Sequence, residues 1–390
     1  MTEKSAGAYG CRVSTTGGVH ALVRRAHEER VLAILREHGT LSRAQIAARA
    51  GLSRTTLSEI TGELLGRGAI VVTATDARRR AGSGRPAELL ALDPRSGQFL
   101  GVDLGHTRAR VVVADAAHEI IASGMTAYPA RTSPAGRIRA ALALVDRLSR
   151  EQGIGLSALQ GVGVGVTGPS PAGAARAEVL AAFRERFAAP VLVDNNTRFA
   201  ALAEAGTTDA RDVLYVRLAD GIGGGLVVGG RLVTGAGGVA GEFGHVRASG
   251  DADCRCGKRG CLETVAAVGP ALAAAGVATL DELAAVRESP RAAAATDRIG
   301  AAVGRVLAAA ALILDPELIV IGGPLVSAVP EIVDRAAAVI AAERPARGGA
   351  GPAVRAARLG DDDGARGAVA AIFRQSPLLA DYAIPTEVNP

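Results

Sequence analysis

Apolar residues cluster at helical spacing at Val31, Leu32, Ile34 and Leu35, and the run stops at Gly39, which predicts a first amphipathic helix. Between Arg43 and Leu64 the spacing resolves into two more. Ile46, Ala47 and Ala50 share one helical face, Gly51 interrupts, and Leu57, Ile60 and Leu64 recur at i, i+3 and i+7 on the next. Gly51 supplies the backbone freedom of a tight interhelical turn, and Ser53 is placed to cap the helix that follows. Ala47 is small, as a close helix crossing requires. With Leu57, Ile60 and Leu64 facing inward, Thr55, Ser58 and Glu59 point away from the core, flanked by Arg54 and Thr56. Two strand-like runs come next, Ala69–Thr73 and Ala87–Leu92, joined by a basic glycine-rich loop with Arg78, Arg79, Arg80, Gly84, Arg85 and Pro86.

Beyond residue 97 strands alternate with helical stretches. Phe99–Ala114 contains two strands about the turn Asp103-Leu-Gly105-His106-Thr107. Gly161–Val166 is a buried strand ending at Thr167-Gly168-Pro169. Pro190–Asp194 is another, with Asn195 and Asn196 at its carboxyl end, where sites form in α/β sheets. Asp220–Val228 predicts a second glycine hairpin, and Leu318–Ile321 runs into Gly322-Gly323-Pro324. The expected fold is α/β, a winged helix-turn-helix followed by a larger body of alternating strands and helices. The domain expectation is a disordered tail over 1–20, a DNA-binding domain over 21–96 and a ligand-sensing domain over 97–390.

At 390 residues, with 48% hydrophobic and 21% charged positions, the chain has the composition of a folded multidomain protein. Its cores must be aliphatic, because aromatic residues make up 3% and tryptophan is absent. Charge is unevenly placed: the first 100 residues carry 15 Lys and Arg against 9 Asp and Glu, and the remainder 29 against 30. A basic head on a near-neutral body fits a polyanion partner, although a solvated basic surface would carry the same charge. If the third helix enters the major groove, Arg54, Thr55, Thr56 and Ser58 reach bases and phosphates. Arg85, on the slim Gly84-Arg85-Pro86 backbone, suits a narrow minor groove. The plainer readings are a polar helical hairpin and a flexible linker.

Neither a signal-peptide core nor an apolar run of about 20 residues is present, so a cytoplasmic protein without membrane association is expected. Of four cysteines, Cys254, Cys256 and Cys261 lie within eight residues, and Cys11 stands apart. The cluster points to metal chemistry in a reducing compartment, with a redox pair as the alternative. His245, in Gly241-Glu242-Phe-Gly-His245, adds an imidazole. One imidazole and three thiolates make a closed tetrahedral set for structural zinc.

Together these motifs resemble the ROK family of repressors and sugar kinases over almost the whole chain, from the helix-turn-helix through Gly323. The signatures that carry the resemblance are Gly241-Glu242-Phe-Gly-His245 and Cys254-Arg-Cys256-Gly-Lys-Arg-Gly-Cys261-Leu-Glu263. The resemblance implies His245, Cys254, Cys256 and Cys261 as zinc ligands. It also implies that Asn195, Glu242, His245 and Glu263 approach the hydroxyls of a bound sugar, with Asn196 beside them. A two-lobed, actin-like or hexokinase-like body that senses a ligand is implied as well, and with it a homodimer or homotetramer.

The chain departs from the family's kinases at four points. They carry Asn-Asp, the Asp serving as general base, where this chain has Asn195-Asn196. Their Gly-Gly-Thr phosphate turn has His106 at its second position, and the second phosphate loop holds Ile222, not Thr, between glycines. The stretch from Gly168 to Asn195 is shorter than the family's and lacks Trp. The resulting expectation is a sugar-responsive DNA-binding regulator, read as a repressor, with no catalytic residues. Its partners would be operator DNA and a small carbohydrate or sugar-phosphate effector. The alternatives are an ATP-dependent sugar kinase with a DNA-binding head, and a DNA-binding protein that has lost its ligand.

Overall fold

The computed structural model describes residues 19–66, 69–76, 87–93, 97–115, 119–156, 159–168, 174–344 and 351–374. The described residues up to 93 form one compact unit and those from 97 onward another.

In the first unit, helix α1 spans Val19–His38 and ends at Gly39, whose φ is +69°. It begins well before the apolar run at Val31, because its first three turns are mostly polar and carry no periodic signal. Strand β1 (Leu41–Ser42) leads into α2 (Arg43–Ala50), which opens with a reciprocal cap between Ser42 and Gln45 and closes at Gly51 with φ +65°. Helix α3 (Arg54–Gly66) buries Leu57, Ile60, Thr61 and Leu64. Strands β2 (Ile70–Asp76) and β3 (Ala87–Leu92) pair antiparallel, and β1 adds to β3. Val31, Ile46, Leu57, Ile60, Leu64, Ile70 and Leu90 form this unit's core. Ala47, expected at a tight crossing, is half-buried; its carbonyl instead accepts the turn amides of Gly51 and Leu52.

The second unit holds two five-stranded sheets of the same internal order. The first contains β4 (Gln98–Leu104), β5 (Arg108–Asp115), β6 (Ile120–Ala127), β7 (Leu159–Val166) and β8 (Val191–Asn195), arranged β6-β5-β4-β7-β8. Helices α4 (Pro134–Gln152) and α5 (Ala174–Arg186) cover one face through Leu144, Leu148 and Phe183. After α6 (Asn196–Ala205) comes the second sheet, with β9 (Val213–Leu218), β10 (Ile222–Val228), β11 (Arg231–Val233), β12 (Leu318–Gly322) and β13 (Ala353–Ala356), arranged β11-β10-β9-β12-β13. In each sheet three antiparallel strands are followed by two parallel ones. The short helices α7 (Glu263–Ala266), α8 (Val268–Ala275) and α9 (Leu280–Ala285) precede α10 (Pro290–Leu314). Helices α11 (Pro324–Ala328) and α12 (Glu331–Ala342) follow β12, and α13 (Asp363–Arg374) ends the described chain.

Helices α6 and α13 cross over between the lobes. α6 follows the first sheet in sequence but packs on β9 and β10 of the second, whereas α13 follows the second sheet and packs on β4 and β7 of the first. The two helices also lie against each other, and Gly367 makes this possible: a Cβ there would run into the carbonyl of Phe199. The strand glycines serve the same end. Side chains at Gly101 and Gly163 would strike α13, and side chains at Gly223 and Gly225 would strike α6. The glycines of Asp220–Gly225 are therefore not all turn residues: the turn is at 219–221, and Gly223, Gly224 and Gly225 belong to β10.

Candidate functional site

A cleft opens in the second unit, lined by the β4–β5 turn, the ends of β7 and β8, the β9–β10 turn and the segment around His245. Asn195 ends β8 and caps α6, its Oδ1 accepting from the backbone of Thr197 (2.8 Å) and Arg198 (3.2 Å) and from the Thr197 hydroxyl. Its Nδ2 donates to the Gly168 carbonyl at 2.6 Å. Asn196, the first residue of α6, donates from Nδ2 to Asp103 Oδ1 at 2.9 Å. Burial pushes the Asp103 carboxyl above the usual carboxylate range, against the pull of Arg217, Asn196, Arg108 and Arg110.

Glu242 and His245 also line the cleft, beside Asp220. Burial raises the Glu242 carboxyl, opposed by His245 and Arg198. Glu263, expected at the sugar, is not among the lining residues. It is 8% exposed, and its Oε2 accepts from the Ile222 amide at 3.0 Å. Arg255 holds it with a fork, Nε to Oε1 at 2.7 Å and Nη2 to Oε2 at 2.9 Å. His106 lines the cleft, and its imidazole is held below its ordinary pKa by burial and by Arg137 and Arg255.

The sequence reading passed over the arginines. Arg108, Arg110, Arg217 and Arg255 all line the cleft. Arg217 Nη1 meets Asp363 Oδ1 at 2.8 Å, and the Tyr215 hydroxyl donates to Asp363 Oδ2 at 2.5 Å. Burial opposes the charge of Arg217, but Asp363, Tyr215 and Asp103 more than compensate and raise its pKa. Asp363 is itself raised by burial. The available signal was the run Asp361-Asp362-Asp363 and the alternation of Arg108 and Arg110 along one strand face.

Behind the cleft the His245, Cys254, Cys256 and Cys261 ligand atoms lie within 4.8 Å of one another. Cys254 Sγ is 3.6 Å from His245 Nδ1, and Cys256 Sγ is 3.7 Å from Cys261 Sγ. Zinc–sulfur bonds of about 2.3 Å in a tetrahedron give edges of about 3.8 Å, so the donor set fits such a metal. Gly257 and Gly260, at φ +86° and +67°, turn the knuckle, and Lys258 Nζ donates to the His245 carbonyl at 2.6 Å. The Lys258 backbone lowers the Cys256 thiol, whereas burial and the neighbouring thiols push Cys261 up to about 12. Cys11 lies outside the described residues.

In the first unit Arg54, Thr55, Ser58 and Glu59 are exposed on α3. Thr56 is half-buried, its hydroxyl 2.8 Å from that of Ser53, and the Ser53 hydroxyl accepts the Thr56 amide at 3.1 Å as the helix cap. The loop carrying Arg85 lies outside the described residues. Among the described residues no helix is long and apolar enough to cross a membrane.

Residues 24–71 match the family model for winged helix-turn-helix DNA-binding domains. A putative xylose repressor from Caldicellulosiruptor sp. (strain Rt8B.4) is 28% identical over 264 residues, which is 64% of this chain and 65% of that protein's length. A ROK family transcriptional regulator, described as a homolog of the E. coli MLC protein, superposes with TM-score 0.72 at 21% identity, covering 92% of this chain and 98% of that one; at that identity the likeness is one of fold. A ROK hexokinase from Thermus thermophilus superposes with TM-score 0.60 at 27% identity, over 70% of this chain and 97% of that one. The ROK family model itself matches residues 99–375, most of the chain, and the protein belongs to the ROK family.

Proposed function

We propose that this chain is a sugar-responsive transcriptional regulator, acting as a repressor, whose kinase-like body binds its ligand without phosphorylating it. The observation that carries this reading is Asn196. An attacking sugar hydroxyl must lose its proton, and general-base catalysis is worth about 10²–10⁴-fold. An amide at this position hydrogen-bonds a hydroxyl but takes up no proton, and its Nδ2 is already engaged by Asp103. His106 and Ile222, where the family's kinases carry glycine and threonine, weaken phosphate binding in the same direction. The name of the Caldicellulosiruptor relative supports a sugar as effector and DNA as target.

In this reading residues 21–96 form the DNA-binding domain and residues 97–390 the sensor. Arg54, Thr55 and Ser58 contact operator DNA, and Thr56 acts through the cap. Asn195, Asn196, Glu242 and His245 face the sugar, and Glu263 is held at its edge by Arg255. His245, Cys254, Cys256 and Cys261 would hold a structural zinc, which supplies a rigid, closed cross-link and no reactive position. Nδ1 of His245 faces the sulfur atoms. With Nδ1 turned to the sulfur atoms, Nε2 is the nitrogen that would carry the ring proton and donate toward the cleft. The protein would act in the cytoplasm as a homodimer or homotetramer, with ligand-driven movement of the two lobes relayed to paired heads.

The test combines two measurements on the full chain: operator binding with and without sugars, and ADP release with magnesium, ATP and a panel of hexoses, pentoses and amino sugars. A sugar that shifts DNA affinity, with no turnover, is the expected result. Turnover near or above about 1 s⁻¹ would make the protein a kinase.

A further inference from the structure

Arginines lining a cleft ordinarily advertise a site for phosphate. Here each is already matched to a carboxylate of the chain itself. Arg108 Nη2 meets Asp361 Oδ1 at 2.7 Å. Arg110 reaches Asp362 Oδ1 at 2.8 Å and Asp361 Oδ2 at 3.0 Å. Arg217 meets Asp363 at 2.8 Å, and Arg255 is forked onto Glu263. Three of the four come from strands of both lobes, β5 and β9, and converge on three consecutive aspartates where α13 begins. The Arg217–Asp363 pair is almost wholly buried, with side chains 10% and 2% exposed.

The acidic groups of the cleft are in the opposite condition. The side-chain carboxylates of Asp220 and Glu242 line it with no hydrogen bond or ion pair to another described residue, and that of Asp103 receives a single side-chain donor, the Asn196 amide. Among the described residues the cleft therefore presents spare carboxylate acceptors, and each arginine that lines it is paired. A phosphate ester entering it would have to displace an aspartate from its arginine and then face Asp103 and Asp220. A polyol brings uncharged hydroxyls, each able to donate to those acceptors, and displaces nothing.

We infer that Asp361, Asp362 and Asp363 occupy the arginines in the place of a phosphate, so that the cleft selects an uncharged polyol, an unphosphorylated sugar, against sugar phosphates and nucleotides. The inference rests on the cleft being the effector site, as proposed above. It also assigns Arg108, Arg110 and Arg217 a part in specificity: their charge is engaged before a ligand arrives, and they join the two lobes through one shared tripeptide.

The experiment is calorimetric titration of the full-length, zinc-loaded chain with D-xylose, D-glucose and N-acetyl-D-glucosamine, then with their monophosphates and with inorganic phosphate. At least one free sugar should bind about tenfold or more tighter than its own phosphate, and inorganic phosphate should give no saturable heat. Asp361→Asn with Asp362→Asn frees Arg108 and Arg110 and should raise affinity for the phosphates about tenfold while leaving the free sugar nearly unchanged. Asp362→Asn alone, at a half-exposed position, gives the same direction should the double variant fold poorly. A phosphate that binds wild type more tightly than its parent sugar overturns the inference and leaves the sensor reading standing. So does a folded variant that gains no phosphate affinity. If no probe of either kind binds, the effector reading of the cleft falls, and the inference with it.

Discussion

Asn196 Nδ2 donates a 2.9 Å hydrogen bond to Oδ1 of Asp103, tying the first turn of α6 to the end of β4 across a buried contact. An aspartate at position 196 would set a second carboxylate against the first, and one of the pair would have to keep its proton. Asp103 is already raised by burial. The folded Asn196→Asp variant thus holds a proton that the unfolded chain releases above about pH 4. A raised carboxyl contributes stability at low pH that is lost as pH rises, here by up to about 1.4 kcal/mol per pH unit. Melting temperatures of variant and wild type should lie close at pH 5 and diverge by pH 8. A deficit that stays constant over that range would refute the coupling.

In the head, cap and contact separate. Ser53→Ala removes the hydroxyl that accepts the Thr56 amide and should cost the head about 1 kcal/mol. Arg54→Ala removes an exposed side chain and should leave melting unchanged, while weakening operator binding by about 1–3 kcal/mol if it reads a base edge. If Arg54 instead meets a phosphate, the slope of log affinity against log salt should fall by about 1. Denaturation curves and salt-dependent DNA titrations of the two variants would exchange these signatures if the assignment were wrong.

The metal centre should bind one zinc per chain. Cys261 is 1% exposed and Cys256 is exposed, so Cys261→Ser should cost more stability than Cys256→Ser, although both lose the metal. Metal analysis and calorimetry on protein purified under reducing conditions test both halves. Full zinc content in either variant would remove the assignment.

Gly367→Ala drives a methyl into the Phe199 carbonyl where α6 and α13 touch and should cost about 3 kcal/mol or more. Gly62, in the middle of α3, is met by nothing beyond its chain neighbours within 4 Å of a built Cβ, and Gly62→Ala should be neutral or stabilising by about 0.5–1 kcal/mol. Equal melting temperatures for the two variants would contradict the helix crossing described here.

What could be seen in the sequence was what is local. The turn at Gly51, the cap at Ser53 and the apolar spacing of α3 lie within a few residues of one another, and all four candidate metal ligands fall between His245 and Cys261. The arginine–aspartate network was not legible, because Arg110 and Asp362 are 252 residues apart and either alone looks like a solvated charge. The glycine hairpin at Asp220–Val228 was legible, but not the reason Gly223 and Gly225 are glycines: their small size answers to α6, which no nearby residue reveals. Glu263 was placed at the ligand by the family resemblance, and its fork from Arg255 carried no local signal, because Arg255 stands in the sequence as a spacer between two cysteines.

The crossover of α13 also sets an order of events during synthesis. Strands β4 and β7 leave the ribosome early, yet the helix that covers one face of them is the last described segment of the chain, ending at Arg374. At about 5–20 residues per second, roughly 10–40 s pass between the completion of β7 and the arrival of that helix. Throughout that interval the nascent first lobe has the glycine-lined face of its sheet bare, and a chaperone or a neighbouring nascent chain can reach it. A message truncated before residue 363 makes that exposure permanent, so shortening the gene from its 3′ end should unfold the lobe encoded nearest its middle.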